Sequence, residues 1–356
     1  MRRIATENCV TGMVLAKPVY NDIGLVLIGI DVKLTESMIY RLQQLGVDYV
    51  YINDPRTDDI TFDEPISDKT REMALKAIKG TFNDLFSGQR TLIKKDLNSV
   101  FKPVLENMIS DLKMNNNVML MLSNIYIKDF YLYTHSLNVV LYTISVGMAK
   151  GYNQEQIMEL GLGSLLHDIG KTEIPISVLE KKGPLTQEEF NLIKEHTTYG
   201  FNMLRKEHGI PLLSAHCAFQ HHERLDGSGY PRGIKGKEIH EYAKIVAIAD
   251  VYDALISKRV YKEPILPHEA LEYLYTKANT EFDKEILEIF RKTVAIYSIG
   301  VSLTLSSGES GIVVDINSNV PDRPIMRILE KNNKPVDKPY EIDLSKELSK
   351  TIIKSS

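Results

Sequence analysis

Two short stretches place groups that resist burial inside an otherwise apolar, helix-like pattern. One is His167-Asp168-Ile169-Gly170-Lys171; the other runs from His221 to Pro231 and reads HHERLDGSGYP. Imidazoles and carboxylates grouped this way usually converge on metal ions, because each is costly to bury without a compensating charge. Adding His135, His196 and Asp250 gives seven candidate ligands: His135, His167, Asp168, His196, His221, His222 and Asp250. The intervals between successive clusters each fit a helix, a turn and a second helix. Ligands so spaced would project from neighbouring helices toward one point. Singly, each has a plainer reading. His135 fits a core histidine bonded to a carbonyl, His196 a solvent-facing one, and His221-His222 one buried and one exposed. Asp250 is harder to explain away, since a carboxylate in an apolar run needs a partner. His208, His216, His240 and His268 read as structural or surface residues.

Histidine and carboxylate donors without thiolates suit iron, manganese or zinc-like ions. A carboxylate such as Asp168 can bridge two cations about 3.5–4 Å apart. Two ions sharing one water would lower its pKa, hold it in line with a phosphorus atom and draw charge from the phosphoryl oxygens. That is phosphate-ester hydrolysis, and Asp168 is its expected catalytic carboxylate. Lys171 lies one helical turn beyond Asp168, close enough to hold a phosphate oxygen; the alternative is a surface lysine at a helix end.

The elements that must position these groups fit a chain of 356 residues, 43% hydrophobic and 25% charged, with one main domain and smaller appendages. A net charge of −4 argues against a nucleic-acid partner but not against a small anion met by local Lys, Arg and metal. Cys9 and Cys217 lie far apart with no CxxC spacing, which suits a reducing compartment. The start, MRRIATENCVTGM, lacks the apolar region of a signal peptide. The longest charge-free stretch, 132–149, carries His135, Asn138 and several hydroxyls, so it reads as a buried helix and not a membrane span. A cytoplasmic location is the expectation.

Along the chain, 1–60 reads as a small α/β unit, with strands at 14–20 and 25–30 around the turn residues 21–24. A helix over 35–45, capped by Thr35 and closed by Gly46, precedes a last strand at 47–52. Residues 61–104 read as linker and connecting helices. Stripes at Met73, Ala77, Ile78, Phe82 and Leu85, and at Ile93, Leu97, Val100, Val104, Met108 and Leu112, pack onto the core; a homodimer seam is the alternative. Pro103 kinks the second of these helices or marks a junction. Residues 105–297 form the helical core, and 298–356 a β appendage, with Val301, Leu303 and Leu305 alternating before 311–316 and 325–329. The expected fold class is mainly α: a helical bundle with a small N-terminal α/β unit and a small C-terminal β appendage.

With these residues laid out, roughly 105–295 resembles the HD-GYP family of bacterial cyclic di-GMP phosphodiesterases, a branch of the HD phosphohydrolases. The resemblance rests on HDIGK at 167–171, His196, the intact HHERLDGSGYP and the AlaAspValTyrAspAla run holding Asp250 and Asp253. It implies an HD-type bundle and a di- or trinuclear centre, usually of iron or manganese, held by the seven residues above. It implies hydrolysis of cyclic di-GMP to pGpG, with GMP a candidate further product. Asp253, Arg259 and Lys262 would contact substrate beside Lys171, the two basic residues meeting phosphate or guanine. The loop Asp226, Gly227, Gly229, Tyr230 and Pro231 would border the site, with a diguanylate cyclase as a candidate partner there. Some members carry a carboxylate one turn before the first histidine; here that position is Tyr131, so two divalent ions are expected. Two competing readings remain open: a cyclic di-GMP-sensing or cyclase-docking module with little turnover, and hydrolysis of another cyclic dinucleotide such as cyclic GMP-AMP.

Overall fold

A computed structural model describes residues 1–20, 26–47, 49–60, 65–88, 96–114, 131–257, 264–294, 296–317 and 319–355; within these, the side chain of Tyr131 is not described. The chain divides into two units. Among the described residues, one gathers those within 1–65 and 295–356, and the other those within 66–114 and 131–294.

In the first unit, β1 (Arg2–Ala5) pairs antiparallel with β4 (Tyr49–Ile52). The expected strand at 14–20 is shorter: β2 (Val19–Tyr20) pairs with β3 (Val26–Ile28), and Val14 and Leu15 make only isolated bridges to Lys33 and Ile52. The expected turn at 21–24 lies outside the described residues. Helix α1 (Glu36–Gln44) starts where Thr35 accepts from the Met38 N–H, and Gly46 follows with φ +73°. Leu15, Val19, Leu34, Leu42, Val50 and Tyr51 form the core of this part.

The C-terminal part is a five-stranded antiparallel sheet, in order β8-β7-β6-β5-β9. Its strands are β5 (Ser302–Leu305), β6 (Glu309–Asp315), β7 (Ile325–Lys331), β8 (Lys334–Asp343) and β9 (Ile352–Ser355). N- and C-terminal segments share one unit because they bond directly. The Arg3 N–H donates to the Gly300 carbonyl at 2.9 Å, and the Ser302 hydroxyl donates to the Arg3 carbonyl. Arg327 forks onto Asp59, and Ile60 packs with Ile312 and Leu329.

The second unit is helical: α2 (Asp68–Phe86), α3 (Leu97–Met114), α4 (Tyr131–Ala149), α5 (Gln154–Leu165), α6 (Ile176–Leu179), α7 (Gln187–Lys194), α8 (His196–Leu204), α9 (Leu212–Gln220), α10 (Glu241–Ile256), α11 (Pro267–Thr276) and α12 (Lys284–Thr293). Of the two expected stripes, Ile93 lies outside the described residues, and α3 runs through Pro103 without a junction. Central α4 is buried from His135 to Val146 and packs against α5, α10 and α12. Tyr142, Tyr252 and Phe290 lock α4, α10 and α12 together, with ring centroids 5.0–5.7 Å apart. All three rings are buried, each contributing on the order of 1.5–3 kcal/mol. No helix among the described residues is long and apolar enough to cross a membrane.

Candidate metal centre

Local chain chemistry puts the donors at helix ends and on two helix faces. Asn153 caps α5 with a full capping box, and the helix closes at Leu166, so His167 and Asp168 emerge where it stops. A 3-10 turn over Ile169–Glu173 follows, and it lies against the start of α8. Gly170 permits that contact: a Cβ there would meet the His196 carbonyl oxygen at 1.9 Å. His196 opens α8, while His221 caps the end of α9 and His222 follows it. His135 and Asp250 project from α4 and α10.

All seven candidate ligands meet. His135 Nε2 lies 3.2 Å from Asp250 Oδ1 and 3.8 Å from Asp168 Oδ2. Asp168 also approaches His167 at 3.4 Å, His196 at 3.4 Å and His221 at 3.9 Å, each through Nε2. His196 and His221 bring their Nε2 atoms within 3.3 Å, and His222 Nδ1 lies 3.8 Å from Asp250 Oδ2. Three overlapping sets of donors lie within 4.8 Å of one another: His196-His221-His222, His135-His167-Asp250 and His167-Asp168-His221.

The tautomers are fixed from behind. His167 Nδ1 faces the Ser164 carbonyl at 2.7 Å, His196 Nδ1 that of Ile193 at 2.6 Å, and His221 Nδ1 those of Cys217 and Ala218, both at 3.0 Å. Each Nδ1 must therefore donate, leaving the Nε2 lone pair for the centre. His135 Nδ1 lies 2.7 Å from Asp253 Oδ2, whose other oxygen accepts from Asn138 Nδ2 at 2.8 Å. This departs from the substrate contact expected of Asp253. The residue is fully buried, and Ser257 Oγ adds a 3.4 Å donor, so its carboxylate is occupied in orienting His135.

Burial pushes His196 down to about 4 and holds His221 and His222 well below the usual histidine range, which leaves these rings neutral and able to ligate. Burial would lower His135 too, but hydrogen bonds and charge from Asp250 and Asp253 lift it to about 9. Burial alone would raise the Asp168 carboxyl; Lys171 and the histidines around it hold it ionised. Lys171 Nζ sits 2.5 Å from Asp168 Oδ2 with its side chain 24% exposed, at the edge of the cluster. Among the described residues, His167 Nε2 and Asp168 Oδ1 are buried without a hydrogen-bond partner. Atoms left so cost about 1–3 kcal/mol each, and a cation between them would remove the deficit. Donor set and orphaned atoms both fit divalent metal.

The loop from Asp226 to Pro231 lies against this cluster. The Tyr230 ring is 4.6 Å from that of His222 and 6.5 Å from that of His196, and the Tyr230–Pro231 peptide is cis. Gly227 has φ +85°. A Cβ on Gly229 would meet the His222 carbonyl oxygen at 2.4 Å. Arg259 and Lys262 lie outside the described residues, as does the side chain of Tyr131.

Three contributors were not anticipated: Asn138, Glu223 and Ser257. Asn138 had a signal, since it lies three residues after His135 on one helix face. Glu223 is 2% exposed and accepts from the Arg232 N–H at 2.9 Å and the Ile234 N–H at 3.2 Å. Nothing in its sequence neighbourhood distinguishes that from a solvated acid.

A family model described as an HD domain matches residues 103–286, and one described as a KOW domain associated with HD domain matches 303–356. The cyclic di-GMP phosphodiesterase PA4108 of Pseudomonas aeruginosa is 33% identical over 226 residues, 64% of this chain and 54% of that protein. A cyclic di-GMP phosphodiesterase of Thermotoga maritima is 39% identical over 166 residues, 46% of this chain and 45% of that one. The chain thus spans about half the length of the curated relatives it matches. Among solved structures, Bd1817, an HDG"Y"P protein from Bdellovibrio bacteriovorus, aligns with a TM-score of 0.48 at 16% identity, covering 81% of this chain and 97% of that one.

Proposed function

Since the chain belongs to the HD domain family, we propose that it is a metal-dependent phosphodiesterase that opens cyclic di-GMP to pGpG. The observation that carries this reading is the convergence of five histidines and two aspartates around the orphaned His167 Nε2 and Asp168 Oδ1. The names of the relatives at 33% and 39% identity support the substrate.

His135, His167, Asp168, His196, His221, His222 and Asp250 would hold two divalent ions, iron or manganese as the family resemblance implies, with a donor set that also suits zinc-like ions. Bound there, such ions supply a water of lowered pKa and positive charge for the phosphoryl oxygens. The chain's own work is preorganisation. Carbonyls and Asp253 fix the imidazole faces, and burial keeps three rings unprotonated. Lys171 keeps Asp168 ionised and presents its ammonium to a phosphate oxygen. We assign Arg259 and Lys262 to the second phosphate or a guanine edge. The net reaction adds hydroxide to phosphorus and a proton to O3′ as one P–O3′ bond breaks. We place it in the cytoplasm, where the free Cys9 and Cys217 thiols stay reduced.

Protein prepared without oxygen and loaded with Fe(II) or Mn(II) is offered cyclic di-GMP, cyclic GMP-AMP and cyclic di-AMP side by side. The expected result is pGpG from the first, abolished by chelator and by His167→Ala, with two metal equivalents per chain. Fully metal-loaded protein that leaves cyclic di-GMP intact sinks the reading, and three equivalents sink the dinuclear assignment.

A further inference from the structure

Four of the five clustered histidines are oriented by a hydrogen bond at Nδ1, three to carbonyls and one to Asp253. His222 is different. Among the described residues its ring makes no hydrogen bond, its Nδ1 lies 3.8 Å from Asp250 Oδ2, and its side chain is 18% exposed. The other four are at most 1% exposed. A ligating imidazole without a partner behind it would be free to rotate, and metal affinity depends on such outer contacts.

What surrounds the ring is aromatic. The Tyr230 centroid lies 4.6 Å away at an interplanar angle of 31°, His221 at 4.0 Å and His196 at 5.1 Å. Tyr230 is itself fixed on the segment that carries His222. Its N–H donates to the His222 carbonyl at 3.2 Å, and Gly229 leaves no room for a side chain between the loop and the 222–224 backbone. The returning half of the loop is tied by Glu223, which takes the Arg232 and Ile234 N–H groups on its two oxygens.

We propose that the Gly-Tyr-Pro loop is an orienting brace for His222, in which Tyr230 holds the imidazole by ring packing and Glu223 is the positioning residue that holds the loop closed. Residues 222–234 thus contain both a metal ligand and the device that aims it. This rests on the metal-centre reading above and deepens it.

The test is a double-mutant cycle on the full chain, read as Mn(II) retention against graded chelator. Tyr230→Ala and Glu223→Gln are each expected to weaken retention about 10-fold or more, the range for lost outer contacts to a ligand. Tyr230→Phe keeps the ring and is expected to stay within about twofold of the native chain on the same scale. His222→Ala combined with Tyr230→Ala is expected to match His222→Ala alone, because a brace has no effect once its ligand is gone. Additive losses in the double variant would overturn the proposal, as would native retention in Tyr230→Ala or equal loss in Tyr230→Phe. If Glu223→Gln does not fold, the Tyr230 variants decide. Cyclic di-GMP turnover by the native chain is measured in parallel: metal binding without turnover sinks the substrate assignment alone, and the cycle still decides the brace.

Discussion

Gly170→Ala offers a sharp perturbation of the centre without touching a donor atom. The added methyl would lie 1.9 Å from the His196 carbonyl oxygen and 2.4 Å from the Gly200 nitrogen, against 3.4 Å for ordinary contact. Both neighbours are backbone in the first turns of α8, so no side chain can swing aside. Relief requires the 3-10 turn and α8 to separate by about 1.5 Å, and overpacking of a buried contact costs about 1–3 kcal/mol or more. Because the clash is with main chain, we expect at least about 3 kcal/mol, or a fall in Tm of roughly 6–12 °C for a unit of this size. The same separation would pull His196 Nε2 from Asp168 Oδ1, now 3.4 Å apart. A misplacement of about 1 Å can cost on the order of 100-fold in activity. Far-UV circular dichroism on heating and Mn(II) titration read the two effects. Gly80→Ala in α2 is the control: among the described residues, nothing beyond its chain neighbours and its own helix backbone lies within 4 Å of its Cβ, so it should stabilise by about 0.4–1 kcal/mol. A Gly170→Ala protein that melts with the native chain and holds its metal would refute the reasoning.

Asp253→Asn should weaken metal binding about 10–100-fold while leaving the helices intact; an unchanged affinity with a raised KM would restore its expected role in substrate contact. Saturation with Mn(II) at about 100 times its Kd should stabilise the helical unit by about 2.7 kcal/mol, reversed by chelator. Equal melting points with and without chelator would argue that His167 and Asp168 need no cation. Asp54→Asn probes the first unit. Burial raises that carboxyl, but hydrogen bonds from Arg56 and the charges of Arg56 and Arg2 outweigh it and hold it below the ordinary range. A depressed folded pKa gives stability that is full above the unfolded value, near ~3.9, and is lost as pH falls through the folded one. Native and variant should therefore differ by about 1–3 kcal/mol at neutral pH and converge below roughly pH 4. A gap that persists in acid would show that the charge is not the cause.

The centre was legible because its residues violate the pattern around them. Asp250 in AlaIleAlaAspValTyrAspAla and His135 in an apolar helix have no reason to be buried except one another. Roles within the cluster were harder to read. Asp250 and Asp253 stand one turn apart on α10 and reach opposite nitrogens of His135, whereas the family resemblance implied that Asp253 would contact substrate. Strand β8 was missed because Pro335, Pro339, Lys334 and Lys338 carry loop composition, although an edge strand tolerates them. The grouping of the two chain ends could not be read at all. Its bonds link residues 268 and 299 positions apart, and no local pattern records such a pairing.

That pairing orders events during synthesis. The Arg3–Ser302 bond cannot form until Ser302 has left the ribosome, by which point every residue of the helical unit has already been made. Strand β1 can pair with β4 early, but its contact with Ser302 must wait until the residues of the helical unit have emerged. Contacts of such long separation are slow to close. Truncation within β5–β9 should accordingly loosen the opening strand as well as the sheet, leaving β1 with its β4 pairing alone.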